Sequence, residues 1–309
     1  MILNTGQRTD IPAFYSEWFM NRIKEGYVYV RNPFYPTLIT KFILESDIVD
    51  VLCFCSKNPK PMLKYIDQLK AYRQLWYVTI TPYGRDIERN VPSFKEVIET
   101  FKQLSTHLNS KCVIWRYDPI FIDEKYSVEY HVRAFNHMAK RLMGYTDKVV
   151  ISFIDLFDKV KRNFPEVTEP THDEQVRIIK AFVSICKKYN MQLYTCCENK
   201  EFAKYGVIVS GCMSQEVIED ALDLRLNIEM NKVRKECQCL LGNDIGSYNS
   251  CLHGCKYCYA NNEMNRVKEN FSKHDPDSPL LIGHIHKEDQ IVESRHNKSN
   301  IDSQIFFDF

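Results

Sequence analysis

The segments Trp76-Tyr-Val-Thr-Ile80 and Cys112-Val-Ile-Trp-Arg116 are two short apolar runs, and residues 93–108 between them have the pattern of an amphipathic helix. That helix begins with Ser93-Phe-Lys-Glu96, where a serine followed three residues later by a glutamate predicts a capping box. Two strands joined by such a helix are typical of a parallel β/α unit, because a parallel pair needs a crossover connection. The stretch 76–116 therefore predicts an α/β fold.

The same alternation continues on both sides of this stretch. We predict strands at 2–4, 49–53, 76–80, 112–116, 149–154, 192–195 and 207–209, and an extra pair of strands at 27–30 and 38–43. Helices are predicted at 13–24, 61–72, 93–108, 128–143, 173–188 and 215–224. Parallel units of this combined length are typical of a TIM barrel, full or partial. A doubly wound sheet is the competing fold, but no glycine-rich turn follows the first strand.

Length and composition set the domain organisation. The chain has 309 residues, of which 44% are hydrophobic, enough for one large core with a small appendage. We predict a β/α barrel over residues 1–233, a cysteine-rich cluster-binding segment over 234–286 and a polar tail over 287–309, much of it loosely ordered.

Charge and hydropathy limit the partners and the compartment. The net charge is +1, which argues against a nucleic-acid partner without excluding it. No apolar run approaches the roughly 20 residues that span a bilayer, so no membrane partner is expected. The first residues lack the pattern of a signal peptide. Twelve cysteines without an export signal predict a cytoplasmic protein, where thiolates stay reduced and available to metals.

Five cysteines lie between residues 237 and 258, and such clusters usually hold a metal. In Cys251-Leu-His-Gly-Cys255-Lys-Tyr-Cys258 the spacing allows three thiolates to meet one face of a [4Fe-4S] cluster, leaving one iron without a ligand from this triplet. The alternative is a structural zinc site in which Cys237 or Cys239 completes four thiolates.

The triplet resembles the signature of radical S-adenosylmethionine enzymes, with Tyr257 in the aromatic position. The resemblance implies that Cys251, Cys255 and Cys258 bind the cluster, that S-adenosylmethionine binds the open iron, and that Tyr257 lies near its adenine. It also implies an electron donor as a partner, and a 5′-deoxyadenosyl radical. One departure is the position of the loop near the end of the chain. In a closed barrel the last strand neighbours the first, so a late loop can reach the same mouth.

Polar residues follow most of the predicted strands, as expected where a ligand binds at the carboxyl ends. The cations could bind a carboxylate or phosphate of a small-molecule or macromolecular substrate, and the acids could hold ribose hydroxyls or move protons. Loop ion pairs and helix caps are the alternative. The candidate catalytic residues are Arg8, Asp10, Lys57, Arg116, Asp118 and Glu198.

The remaining cysteines fall into two groups. Cys196, Cys197 and Cys212 follow predicted strands, and three roles stay open for them: small core residues, further cluster ligands, or a thiol that donates a hydrogen atom. Cys53, Cys112 and Cys186 lie within strand or helix patterns, which predicts that they only pack.

A wider resemblance covers the chain up to about residue 283. Its motifs are Arg8-Thr-Asp-Ile-Pro, Lys57-Asn-Pro, Trp115-Arg-Tyr-Asp-Pro and the run from Asp244 to Ala260. They resemble the uncharacterised bacterial family called domain of unknown function eighteen forty-eight, which implies the cluster and the barrel but no reaction. Three functions therefore stay open: a radical enzyme, a non-catalytic structural metal module, and a radical lyase that acts on nucleic-acid lesions.

Overall fold

The computed structural model describes residues 1–227, 239–240, 243–294 and 300–301. The strands are, in chain order, β1 (Ile2–Asn4), β2 (Tyr27–Arg31), β3 (Leu38–Ile43), β4 (Val51–Ser56), β5 (Gln74–Thr79), β6 (Val113–Ile120), β7 (Lys148–Phe153), β8 (Gln192–Thr195), β9 (Ile208–Val209), β10 (Arg225–Leu226), β11 (Gln290–Glu293) and β12 (Asn300–Ile301). The helices are α1 (Ile11–Phe14), α2 (Ser16–Glu25), α3 (Phe94–Leu108), α4 (Val128–Leu142), α5 (Asp158–Asn163), α6 (His172–Lys188), α7 (Gln215–Leu222) and α8 (Met264–Ser272).

Seven strands form one parallel sheet in the order β1-β4-β5-β6-β7-β8-β9. Strands that follow one another in the sheet also follow one another along the chain, whereas a doubly wound sheet reverses its order at a switch point. Within the described residues the sheet is not closed by a pairing of β1 with β9. The open edge of β1 carries a single parallel bridge between Asn4 and Asp244. The prediction of an α/β fold is confirmed, and this sheet is open rather than a closed barrel.

The sheet has two different faces because side chains alternate along each strand. In β4, Leu52 and Phe54 belong to the large core shared with the helices, and we call this side the helix face. Cys53 points the other way, into a smaller core that also contains Val217 and Ile218 of α7. We call this opposite side the inner face. Because both faces are covered, the strands from β4 to β7 are largely apolar, as expected for a parallel sheet.

Local sequence signals explain where the helices begin. The Ser93 hydroxyl accepts a hydrogen bond from the Glu96 backbone N–H, and the Glu96 carboxylate accepts one from the Ser93 N–H, so the predicted capping box is present. The helix predicted at 13–24 is divided at Tyr15 into α1 and α2. The helix predicted at 61–72 is a 3-10 helix, Lys60–Leu69, with Pro61 near its start.

Five of these elements were absent from the predictions: α5, α8, β10, β11 and β12. α8 follows the cysteine loop directly, and β11 pairs in parallel with β3, which itself pairs with β2. Strand β11 lies within the predicted tail 287–309. The exposed edge of β3 offers unpaired backbone groups to this late segment. Residues 295–299 and 302–309 lie outside the described residues. In the parts of the chain that are described, no helix combines the length and apolarity needed to cross a bilayer.

Candidate functional site

The cysteine loop, residues 250–261, is attached to the loop that follows β5. The Asn90 N–H donates to the His253 carbonyl at 2.9 Å, and the Lys256 N–H donates to the Ile87 carbonyl at 3.0 Å. Glu88 and Cys255 form an antiparallel bridge between the same two segments. The loop is thereby held at the carboxyl end of the parallel sheet, where α/β proteins bind ligands.

The other side of the cysteine loop is attached near the end of β1. The Tyr15 hydroxyl donates to the Ser250 carbonyl at 2.6 Å, and the Tyr259 hydroxyl donates to the Gln7 carbonyl. Within the loop, the Asn261 amide donates to the Cys251 carbonyl at 2.7 Å. Side chains from both ends of the protein therefore fix the backbone on which the three cysteines stand.

The thiols of Cys251, Cys255 and Cys258 are half-buried neighbours. Burial raises the pKa of Cys255 well above its ordinary value, and the charge of Glu88 and the neighbouring thiols of Cys258 and Cys251 raise it further. A thiol in such a place is protonated unless a cation binds it, so these cysteines fit a positively charged metal group.

The three loop thiols are not arranged around one point. Among the residues that the structure describes, the only set of three cysteine, histidine or acidic ligand atoms mutually within 4.8 Å lies elsewhere. A single zinc ion needs ligands that close together, whereas a cuboidal cluster binds each thiolate to a different iron. Among the described residues, the three loop thiols therefore do not form a compact site for a single ion.

Glu88 is the centre of a buried network beside Cys255. Its Oε1 accepts hydrogen bonds from the Lys57 ammonium at 2.9 Å, from the Thr81 hydroxyl at 2.6 Å and from the Tyr257 hydroxyl. Burial lowers the pKa of Lys57, but the charges of Glu88 and Cys255 outweigh it and the net shift is upward. Lys57 is therefore a fixed cation next to the loop thiols. Glu88 is only 4% exposed. It is not among the candidate residues predicted from the sequence.

Tyr257 is buried rather than presented to a pocket. Its ring packs with Ile87, Phe121 and Tyr126 in a small apolar cluster, and the Lys57 ammonium lies 5.5 Å from its centroid. By contrast Tyr259, two residues on, is 43% exposed. The adenine contact that the resemblance implied for Tyr257 stays a prediction, and Tyr259 is the more accessible ring of the two.

Asp10 joins three segments. Its Oδ1 caps α1 by accepting from the Ala13 N–H at 3.1 Å, and its Oδ2 accepts from the Lys57 N–H at 2.8 Å and from His253 Nε2 at 2.7 Å. His253 stands between two of the loop cysteines, is 3% exposed and packs against the ring of Phe14. These contacts make Asp10 a positioning residue for the loop.

Arg8 lies on the open edge of the sheet. Its guanidinium donates to the carboxylate and to the backbone carbonyl of Asp244, and the Gln7 N–H donates to the same carboxylate at 3.2 Å. Burial raises the pKa of Asp244, which the Arg8 charge partly offsets. Arg8 thus forms an ion pair with Asp244, the residue that bridges to β1. This is the loop ion pair that the sequence left open as the alternative to ligand binding.

Arg116 and Asp118 lie together on the inner face. The Arg116 guanidinium pairs with the Asp118 carboxylate and also donates to Cys55 Sγ at 3.0 Å, while the Ser152 hydroxyl donates to Asp118. Burial lowers the pKa of Arg116, but the charges of Asp118, Cys55, Cys212 and Cys196 outweigh it and raise the pKa well above its ordinary value. This polar group is half-buried, so its charges are only partly screened by water.

Glu198 is close to this group. Its Oε1 accepts from the Phe153 N–H at 2.7 Å. Burial raises the pKa of Glu198 to about 8, and the charges of Asp155 and Asp118 add to the shift. A carboxyl that is largely protonated near neutral pH can donate a proton or a hydrogen bond, which suits the predicted role in proton transfer.

A second set of cysteines lies on the inner face, and we call Cys196, Cys212 and Cys239 the inner thiol triad. The Sγ of Cys239 is 3.5 Å from that of Cys212 and 3.9 Å from that of Cys196, and all three sulfurs lie within 4.8 Å of one another. The sequence placed Cys239 with the loop cysteines, but the structure brings it to the ends of β8 and β9. Cys237 lies outside the described residues.

The three cysteines that were predicted only to pack are buried, with 1% exposure for Cys53, 6% for Cys112 and 1% for Cys186. The stretch 76–89 interleaves basic and aromatic residues, a pattern that can indicate nucleic-acid binding, but its Trp76 and Tyr77 are fully buried in β5. Those rings are not available for stacking on bases.

Comparison with known proteins gives one match. A family model described as Domain of unknown function (DUF1848) matches residues 2–260 of the chain. Neither a search of curated proteins nor a search of solved structures found a match. The matched region includes the whole seven-stranded sheet, the inner thiol triad and the three loop cysteines.

Proposed function

Because the chain belongs to the DUF1848 family, whose description assigns no reaction, we propose from its own site that the protein is a radical S-adenosylmethionine-type enzyme. Cys251, Cys255 and Cys258 hold a [4Fe-4S] cluster in this proposal. A bound cluster would supply one-electron reduction of S-adenosylmethionine, with the electron coming from an external donor, methionine as the leaving group and a 5′-deoxyadenosyl radical as the other product. The observation that carries the proposal is the set of three neighbouring, half-buried loop thiols at the carboxyl end of a parallel sheet.

The sheet favours a partial barrel as the scaffold. Its strands follow chain order without reversal, the large helix-containing core covers one face, and a small core fills the other. This is the arrangement of consecutive β/α units around a common interior. The bridge between Asn4 and Asp244 occupies the position in which an eighth strand would join β1. The late loop then reaches the mouth of the barrel from the side of its first strand.

The surroundings of the thiols match the needs of a thiolate-bound cluster. Such a cluster carries net negative charge, and the Lys57 ammonium is held beside Cys255 by Glu88. The loop is buried enough to exclude most water, which strengthens this attraction. The hydrogen bond between Asp10 and His253 fixes the loop beside the end of β1, which preorganises the backbone that carries the thiols.

In this proposal the polar groups of the inner face bind the substrate. Arg116 is the cation for a carboxylate or phosphate, since guanidinium pairs well with both. Asp118 is the hydrogen-bond acceptor for a hydroxyl, and Glu198 is the residue that delivers or accepts a proton. The charges of Glu88, Cys255 and Asp118 all raise the pKa of Lys57. Lys57 is therefore near both the loop and the polar groups of the inner face.

An anaerobic preparation tests this proposal. Iron, acid-labile sulfide and zinc are measured per chain, and then dithionite and S-adenosylmethionine are added and 5′-deoxyadenosine is quantified. We expect about four iron and four sulfide per chain and reductant-dependent release of 5′-deoxyadenosine. Cys258→Ala should abolish both, whereas Cys186→Ala, in the buried core of α6, should abolish neither. A cluster that never cleaves S-adenosylmethionine would leave a structural or electron-transfer role, and a chain without sulfide would exclude the cluster.

A further inference from the structure

The inner thiol triad is separate from the loop and unexplained by the cluster. Cys196 follows β8, Cys212 follows β9, and Cys239 belongs to a later segment of the chain. A buried cysteine that only packs has no need of other cysteines as neighbours. Three sulfurs from three different segments that converge on one point instead indicate a common ligand.

The distances within the triad fit a single ion. Four thiolates at about 2.3 Å from a tetrahedral zinc are about 3.8 Å from one another. The measured separations are 3.5 Å for Cys212 and Cys239 and 3.9 Å for Cys196 and Cys239. A cuboidal cluster would need the sulfurs farther apart, since each binds a different iron. The geometry therefore favours one thiophilic divalent ion.

The backbone around Cys239 is arranged to stabilise a thiolate. The Met213 N–H donates to Cys239 Sγ at 3.3 Å, and the Leu240 N–H donates to the Met213 carbonyl at 3.0 Å. The two segments are thus paired across the triad. A hydrogen bond from an amide to sulfur favours the ionised form, which is the form that binds metal.

The surrounding charge also suits a metal thiolate site. Three thiolates and one divalent ion carry a net charge of −1, and this charge lies in a largely apolar core in which Cys212 is 7% and Cys239 is 4% exposed. Arg116 is the cation on the same face and makes one of its contacts to the sulfur of Cys55. A buried negative group beside a half-buried guanidinium is compensated in a way that an isolated one is not.

We propose that Cys196, Cys212 and Cys239 bind one zinc ion on the inner face of the sheet. They are the three ligands that the described residues supply, and in this proposal water or substrate takes the fourth position. Cys197 is not a required ligand. Its sulfur is 3.9 Å from that of Cys196, but it does not belong to the set in which all sulfurs lie within 4.8 Å. Zinc sites with three protein ligands and one exchangeable position are the type that binds or activates a small molecule.

Metal analysis of the full-length protein tests the site. We expect about one zinc per chain in addition to the loop iron. Cys212→Ser and Cys239→Ser should each reduce zinc to background and leave iron and sulfide unchanged. Cys53→Ala, a buried cysteine of the same core, and Cys197→Ala should keep full zinc. Cys258→Ala should keep zinc while losing iron, so failure of the loop proposal and failure of this one are distinguishable.

A second measurement covers variants that fold poorly. The zinc is replaced by Co²⁺ in the wild-type protein, and intense visible absorption of tetrahedral cobalt thiolate is expected. Its loss in Cys239→Ser, with an unchanged circular dichroism spectrum, supports the site. Three results would overturn the proposal. They are a wild-type protein without zinc, zinc that is retained in both serine variants, and loss of iron and sulfide from Cys212→Ser. Loss of zinc from Cys197→Ala would overturn the open fourth position.

Discussion

The carboxylate of Asp10 and the imidazole of His253 are 2.7 Å apart, although 243 residues separate them along the chain. Asp10 caps the first helix after β1, and His253 stands between Cys251 and Cys255. This contact therefore joins the beginning of the sheet to the cysteine loop. Together with the hydrogen bonds of Tyr15 and Tyr259, it holds a loop late in the sequence beside the first strand.

Asp10→Asn should loosen the loop. The asparagine amide can still cap α1, but it lacks the second carboxylate oxygen that receives the Lys57 N–H and His253. We expect a loss of about 1–3 kcal/mol in unfolding free energy, since buried charge-assisted hydrogen bonds are removed. Chemical denaturation checks the stability, and the rate of iron loss to a chelator checks the loop.

The matched control for this variant is Asp123→Asn. Asp123 is exposed, and its carboxylate accepts only from backbone amides in a turn, at 2.9 Å from the Lys125 N–H. An asparagine makes the same turn. Equal effects of the two substitutions would contradict a special role for Asp10.

Glu88→Ala should be among the most destabilising single changes near the site. It leaves the Lys57 ammonium, 13% exposed, without its carboxylate partner, and it removes the acceptor for Thr81 and Tyr257. Breaking a buried ion pair on one side costs about 3–5 kcal/mol. The unfolding free energy of the variant, measured in urea, checks this value.

The double variant Lys57→Met with Glu88→Leu distinguishes the ion pair from the individual side chains. Removal of both charges avoids an uncompensated buried charge, so the loss should be smaller than for Glu88→Ala alone. The unfolding free energy is compared among the wild type, the two single variants and the double variant. If the losses of the single variants add up to that of the double variant, the two residues do not interact.

His131 should make the protein less stable in acid. Burial lowers its pKa from the ordinary value of 6.5 to about 4, and its ring nitrogens contact the Tyr117 hydroxyl at 2.8 Å and the Phe121 carbonyl at 3.0 Å. Between these two pH values the unfolded chain binds more protons than the folded one. The unfolding free energy therefore falls as the pH is lowered through this window, by about 3 kcal/mol from this residue.

Denaturation of wild-type protein and His131→Gln at pH 7 and at pH 4.5 measures that contribution. The glutamine is neutral at both values, so the variant should lose less stability on acidification than the wild type. His137→Gln, on the exposed side of the same helix, should behave like the wild type. Parallel pH profiles for wild type and His131→Gln would contradict the assignment.

Gly6→Ala should destabilise the site end of β1. A Cβ at residue 6 would lie 2.1 Å from the Cys55 carbonyl oxygen and 2.6 Å from the Cys55 Cβ, so the backbone of β1 or β4 would have to move. Overpacking of this kind costs about 1–3 kcal/mol, and the fixed backbone puts the result toward the upper end. The thermal unfolding midpoint checks it.

Gly144→Ala provides the comparison for Gly6. Its φ is +83°, but nothing lies within 4 Å of the added Cβ. The only penalty is the left-handed backbone, about 1 kcal/mol. If Gly6→Ala lowered the thermal unfolding midpoint less than Gly144→Ala does, the backbones of Gly6 and Cys55 would be able to move apart at little cost in free energy.

Local patterns account for the predictions that the structure confirms. Alternating apolar strands and helices predicted the parallel sheet from β4 to β8 within a few residues, and Ser93 with Glu96 predicted the start of α3. These signals depend on neighbours in sequence, since side-chain periodicity and capping act over one or two turns. The edge strand β11 escaped prediction because its pairing with β3 depends on a remote partner.

By itself, the sequence determined the type of fold, the buried cysteines and a loop whose three thiols suit a metal cluster. Only the tertiary structure decided the partners of those groups: Glu88 for Lys57, His253 for Asp10, and Cys212 for Cys239. Such pairs are set by strand order and by the paths of loops across the sheet. No pattern within a short stretch of sequence contains that information, because the free energy of each contact is gained only after the whole chain is packed.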